Sequence, residues 1–237
     1  VPALASSAEV WAGRAMLVRR TAPVPIECVV RGYLAGSAWS EYRRRGTLAG
    51  EPLPPGLVES QRLDPPIFSP ATKAEQGQDE HITFAEVCAR IGRELAEELR
   101  RRSLALYERG RALAAERGIL IADTKFEFGL LPDGTLLLID EVLTLDSSRF
   151  WPLEGYAPGR GQPSLDKQPV RDYLDALVAR GEWDREPPAP DLPPEVVEAT
   201  SARYREVFRR LTGWSLEEFP VHDPGRPAPG PGPDSGV

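Results

Sequence analysis

Between Gly118 and Val142 the chain reads as two β-strands around Pro132-Asp133-Gly134, and this segment constrains the fold more than any other. In the first strand Asp123, Lys125 and Glu127 alternate with Thr124, Phe126 and Phe128, so three charged groups share one face and the rest line the other. That is too much charge for a core face. With Asp133-Gly134 as a two-residue turn, Glu127 stands opposite Asp140, with Cβ atoms roughly 5 Å apart. Opposed carboxylates destabilise a sheet unless a cation or a shared proton relieves them, and a hard divalent ion with oxygen ligands does so. Magnesium carried by ATP is the first candidate, and a solvated face whose charges pair with Lys125 is the alternative. A three-residue turn would shift the register by one and separate the pair.

The flanking segments supply the scaffold. Gly13 to Arg20 and Val24 to Arg31 read as strands joined through Thr21-Ala22-Pro23. Ser37 to Arg45 is helix-like, with Ser37 as N-cap and Gly46 as the stop. The proline-rich stretch Glu51 to Lys73 predicts an ordered loop wrapped over the surface. Thr83-Phe84-Ala85-Glu86 is a capping box that starts a helix, and Glu94 to Arg117 predicts a long amphipathic one. Two further helices are expected at about Pro169 to Arg180 and Pro194 to Leu211. The Pro/Gly-rich end from Pro224 to Val237 is expected to be disordered.

Three more clusters carry possible chemistry. Arg31-Gly32-Tyr33-Leu34-Ala35-Gly36-Ser37 runs from a strand end through two glycines into a helix start, where free N–H groups, the helix dipole, Arg31 and Ser37 can converge on a phosphate monoester. Tight packing at the glycines is the competing explanation. Asp146-Ser147-Ser148-Arg149 follows the second hairpin strand, and Lys73 to Glu80 is a polar run before the capped helix. Singly, a turn with an exposed Arg and a plain polar loop explain these two. The two histidines, His81 and His222, form neither a metal pair nor a Ser/His/Asp set, and no GxxxxGK[ST] or GxGxxG run is present.

Composition bounds the partners. The 237 residues, 41% hydrophobic and 27% charged, suffice for one substantial core or two unequal lobes. A net charge of -7 gives no overall field for nucleic acid and suits a small anionic substrate better. Cys28 and Cys88 form no CxxC pair, so a cytoplasmic setting is the default. No apolar run approaches the ~20 residues of a membrane span. The chain starts at Val1 with no initiator Met, so a fragment or a processed start is expected.

Five segments occur in one order: VPIECVVRGYLAGSAWSEY, LPPGLVESQRLDPPIFSPATKAEQGQDE, GILIADTKFEFG, IDEVLTLDSSRFWP and PSLDKQPVRDYL. Together they resemble the SAICAR synthetase family in its longer form, over about Gly13 to Gly213. The resemblance implies an α+β, two-lobe ATP-binding fold with most of the small N-terminal sheet lobe absent. Residues 1–24 would be a remnant of that lobe and the hinge, 25–217 the large catalytic lobe, and 218–237 a disordered tail. It also implies a reaction: ATP phosphorylates the carboxylate of the ribotide CAIR, and L-aspartate's amine displaces phosphate to give the amide.

Carried over by residue, Arg31, Ser37 and Arg149 resemble ligands of the ribotide phosphate. Glu127 and Asp140 match metal-linked carboxylates, and Lys125 lies beside them. Arg20, Thr21 and Val24 belong to the link that matches the adenine-facing hinge. Asp146 resembles a carboxylate near the aminoimidazole, and Lys73 and Asp79 match a loop facing CAIR or aspartate. Asp79 and Asp146 are both candidates for the base that takes the amine proton, while Asp166-Lys167-Gln168 has no assigned role. Where the family loop reads Gly-His-Asp-Glu-Asn, this chain has Gly77-Gln78-Asp79-Glu80-His81. A Gly-Lys phosphate-covering hairpin and an Asp-Arg-x-Ser-Ala-Phe-Asp-like stretch of the family would precede Val1, so the chain alone is expected to have little ligase activity. A noncatalytic ribotide-binding module is the alternative.

Overall fold

The computed structural model describes residues 10, 15–73, 80–165 and 167–219. In chain order the elements are β1 (Ala22–Pro23), β2 (Ile26–Tyr33), α1 (Gly36–Arg45), β3 (Thr47–Leu48), β4 (Glu51–Pro52), β5 (Arg62–Phe68), β6 (Ala71–Thr72), α2 (Phe84–Ile91), α3 (Arg93–Glu116), β7 (Ile119–Leu130), β8 (Leu136–Ile139), β9 (Ser148–Pro152), α4 (Gln168–Ala179) and α5 (Pro194–Thr212). This is the expected mixture of helix and sheet. The described residues 15–20 have no strand, and the proline-rich stretch is more regular than expected, because β5 pairs with β2.

Strand β7 is the axis of the main sheet. It pairs antiparallel with β2 and β1 along one edge and with β9 and β8 along the other. Its alternation works as the pattern predicted: Thr124, Phe126 and Phe128 are buried, while Asp123, Lys125 and Glu127 are only partly so. Helix α3 covers the apolar face. Its buried positions, Ala96, Leu99, Ser103, Tyr107, Gly110 and Ala114, recur every three or four residues and make one stripe. Fully burying side chains such as Leu99, Phe126 and Phe128 stabilises the fold by roughly 1.5–3 kcal/mol each.

Local signals hold at the helix ends. Thr83 Oγ1 accepts from the Glu86 N–H at 3.2 Å and the Thr83 N–H donates to Glu86 Oε2 at 2.7 Å, which completes the capping box. Gly46 ends α1 at φ 69°, its N–H donating to the Tyr42 carbonyl. The start of α1 differs from expectation: Ala35 is the N-cap, Gly36 is the first helical residue, and no side chain caps the turn.

Helix and sheet approach closely at Gly32, where an added Cβ would overlap the Tyr107 hydroxyl. That buried hydroxyl donates to the Ile121 carbonyl at 2.6 Å, so it has little freedom to retreat. Gly32→Ala is expected to destabilise the protein by about 1–3 kcal/mol in urea denaturation. Adding Tyr107→Phe is expected to recover part of that loss; equal losses with and without the hydroxyl would refute the packing explanation.

Candidate active site

The face of the sheet that α3 leaves uncovered carries the charge. Register sets Arg31 of β2 beside Asp123 of β7, and Arg149 of β9 beside Asp123 from the other edge. One carboxylate therefore stands between two guanidiniums: Asp123 Oδ2 lies 3.1 Å from Arg31 Nη1 and 3.5 Å from Arg149 Nη1. Arg31 is buried, with Nε donating to Ser69 Oγ at 3.0 Å and Nη2 to Ser37 Oγ at 3.2 Å. Burial pulls its guanidinium below the ordinary value; Asp123 opposes this and Arg149 adds to it.

These groups meet the start of α1. Ser37 is not the cap, and its hydroxyl accepts from Arg31 instead. With no capping side chain and no acidic residue in the first turn, the free N–H groups and the positive end of the helix dipole are left for another anion. Gly36 has φ +56°, and a Cβ there would overlap the Arg149 guanidinium, so glycine lets Arg149 lie against the helix start. The structure thus brings together the three residues expected to share one phosphate.

The carboxylate pair needs correction. Glu127 stands opposite Ile139, not Asp140, because Leu131 and Thr135 close a three-residue loop, with the Leu131 N–H donating to the Thr135 carbonyl at 2.9 Å. Asp140 is exposed, just past the end of β8, at φ +62°, where strand alternation no longer decides its direction. Continuing the β2–β7 register past Cys28 and Phe126 sets a different acid, Glu27, against Glu127. Two ammonium groups relieve that opposition. Lys125 Nζ lies 3.0 Å from Glu27 Oε1, and Lys73 pairs with Glu127. Among the described residues no group of three or more His, Cys, Asp or Glu side chains forms a metal cage.

Other expected residues fall around this strip. Asp146 sits in the turn before β9, where its Oδ1 accepts from Lys167 Nζ at 3.2 Å and from the Tyr204 hydroxyl at 3.0 Å. The Lys167 bond holds its carboxyl below the usual range; partial burial opposes this and the Tyr204 bond adds to it. The other candidate base, Asp79, lies outside the described residues, as do Gln78 and Asp166. Arg20 is exposed; Thr21 lies against Gly129; the Val24 N–H is taken by the Phe128 carbonyl at 2.8 Å. A concavity of about 1050 Å³ between the start of α3 and the hairpin tip has none of these site residues in its wall.

Sequence reasoning missed Glu27, Glu41, Ser69 and Tyr204, set His81 aside and left Lys167 without a role. Glu27 was detectable, because it shares strand parity with Arg31 on β2. Contacts such as Tyr204 to Asp146 span 58 residues and carry no local signal.

A family model described as SAICAR synthetase matches residues 4–188. A phosphoribosylaminoimidazole-succinocarboxamide synthase of Thermobifida fusca is 60% identical over 210 residues, covering 87% of this chain and 68% of that protein. One of Methylibium petroleiphilum is 57% identical over 202 residues, covering 84% and 67%. Among solved structures, a Saccharomyces cerevisiae SAICAR synthase complexed with SAICAR aligns with a TM-score of 0.75 at 41% identity, covering 84% of this chain. The chain spans 63% of that yeast protein's length. A SAICAR synthetase in complex with ADP aligns with a TM-score of 0.56 at 25% identity, covering 84% of this chain and 67% of that one.

Buried Glu41 anchors the rim of the anion pocket and gives a pH test. Burial works to raise its carboxyl, but bonds from the Gly50 N–H, the Thr47 hydroxyl, His81 and the Ala49 N–H outweigh that and hold it down at about 2. A depressed folded-state value stabilises the fold fully above the ordinary value of 4.5 and loses that effect as pH falls towards about 2. The melting-temperature gap between the parent and Glu41→Gln is therefore expected to be widest near neutral pH and to close on acidification. A gap that widens in acid would overturn the assignment.

Proposed function

The chain belongs to the SAICAR synthetase family, and from that premise we propose that it supplies the ribotide-binding and phosphoryl-transfer face of an ATP-dependent ligase joining L-aspartate to CAIR. The observation that carries the proposal is the pair Arg31 and Arg149 on Asp123, opening onto an uncapped helix start. A ribotide phosphate there would receive the Arg149 guanidinium, the first N–H groups of α1 and the remaining donor capacity of Arg31. The SAICAR and ADP complexes of the similar proteins support the same substrate classes.

The chemistry balances in two displacements. A carboxylate oxygen of CAIR bonds to the γ-phosphorus of ATP while the bond to the bridging oxygen breaks, giving ADP and an acyl phosphate. The aspartate nitrogen then bonds to the acyl carbon, the carbon–oxygen bond to phosphate breaks, and the amine loses a proton. Both steps need positioning and charge neutralisation more than covalent help. Lys125 and Lys73 are the cations available on the open face, and in this reading Lys73 leaves Glu127 for the phosphoryl oxygens.

Magnesium fits as an ion delivered on the nucleotide. Such an ion already has phosphate and water ligands, so one or two hard carboxylate oxygens suffice, and Glu127 and Asp140 are of that type. When bound it would neutralise phosphoryl charge. Asp146 in this reading is an ionised acceptor for an N–H of substrate. The adenine would meet the Arg20 to Val24 segment, where the Val24 N–H is committed to Phe128. Two free cysteines suit a cytoplasmic setting, and no helix among the described residues is long and apolar enough to cross a membrane.

Calorimetry with CAIR tests the pocket directly. Arg149→Ala is expected to weaken CAIR binding about 10- to 100-fold, the cost of removing a charged hydrogen-bond donor from an anion. Unchanged affinity would refute the phosphate assignment. In a coupled assay, the small ADP release expected of this chain should require both CAIR and aspartate, and Glu127→Gln should raise the magnesium concentration needed for half of that rate. ADP release independent of CAIR would sink the ligase reading.

A further inference from the structure

His81 lies behind the anion pocket, and its two ring nitrogens touch groups of opposite charge. Nδ1 is 3.1 Å from Glu41 Oε2, and Nε2 is 3.4 Å from Arg31 Nη2. The backbone there is tied down: His81 bridges Ala71, the Ile82 N–H donates to the Pro70 carbonyl at 3.1 Å, and the Thr72 N–H donates to the Glu80 carbonyl at 2.9 Å. The ring therefore enters the site from a fixed support.

Its neighbours determine its tautomer. Glu41 is an ionised carboxylate that already accepts from the Thr47 hydroxyl at 2.7 Å, the Gly50 N–H at 3.0 Å and the Ala49 N–H at 3.1 Å, so it can only accept from His81 as well. Nδ1 must carry a proton. A guanidinium nitrogen only donates, so Nε2 must offer its lone pair to Arg31. Four of the five N–H bonds of Arg31 are then directed by protein: Nε to Ser69, Nη1 to Asp123, and Nη2 to Ser37 and His81.

We propose that His81 is a positioning residue of the anion site, held as the Nδ1–H tautomer by Glu41 so that Nε2 accepts from Arg31 and fixes the plane of its guanidinium. The proposal rests on the reading of Arg31, Ser37 and Arg149 as the phosphate pocket. Ser37, Ser69, His81 and Asp123 hold the guanidinium from α1, from the β5–β6 link, from the segment before α2 and from β7, leaving one N–H on Nη1 for the ligand. Glu41 carries the alignment back to the 46–50 turn, which thereby becomes part of the site without touching substrate.

Two measurements on the full chain test this. Long-range proton–nitrogen NMR, with His222→Gln assigning the two imidazoles, is expected to show a protonated Nδ1 and a bare Nε2 in the neutral ring of His81. A protonated Nε2 there overturns the proposal, whatever the stability of any variant. By calorimetry His81→Leu is expected to bind CAIR about tenfold more weakly, the loss of one hydrogen bond to a charged group, whereas His81→Gln, which keeps a donor and an acceptor, stays within about threefold. A cooperatively folded His81→Leu with affinity within about twofold of the parent also overturns it. Arg149→Ala measured alongside separates the failures: if it too leaves affinity unmoved, the phosphate reading is what fails, and the tautomer still decides whether His81 orients Arg31.

Discussion

Two guanidiniums facing the same central strand from opposite edges repel unless an anion stands between them, and Asp123 is that anion. It sits on the central strand β7, within 3.1 Å of Arg31 on one edge and 3.5 Å of Arg149 on the other. Removing one partner of a buried charged set leaves an uncompensated charge, which typically costs several kcal/mol. The triplet therefore ties β2, β7 and β9 to one register. A slip by one residue would send Asp123 into the apolar layer and Phe126 into the charged one.

That constraint explains why the molecule is one-sided. Helix α3 can cover only the face where Cys28, Val30, Phe126 and Phe128 point, since covering the other would bury the partly exposed Lys125 and Glu127 as well. The open face is left to bind something charged. Helix α1 adds its uncapped start beside Arg149, and Gly36 permits the approach that any side chain would block. A single strand parity thus separates core from chemistry.

Parity was legible in the sequence, and pairing was not. The alternation around Lys125, the capping box at Thr83, the stop at Gly46 and the long helix with its apolar stripe all come from interactions within a few residues, so local pattern reports them. The register of the hairpin depends on whether the loop holds two residues or three. Pro132-Asp133-Gly134 supports either, and the three-residue form moved Asp140 out of line with Glu127. The partners Tyr204, Lys167 and His81 reach the site from distant segments, and nothing near them in sequence announces where they end up.

The corrected register changes how the charge on the open face must be understood. Opposed acids at Glu127 and Asp140 made magnesium the first candidate and pairing with Lys125 the alternative, yet the acids that oppose each other are Glu27 and Glu127, and the chain answers them with Lys125 and Lys73. Under the proposed function, a phosphoryl group entering the cleft would offer each lysine oxygens more heavily charged than a carboxylate. In the proposed ligase, release of a lysine would leave behind a carboxylate for a nucleotide-borne divalent ion. Lysine-to-phosphoryl and carboxylate-to-metal exchange would then keep the strip near charge balance as substrate enters, so that little of the binding energy is spent on unpaired charge.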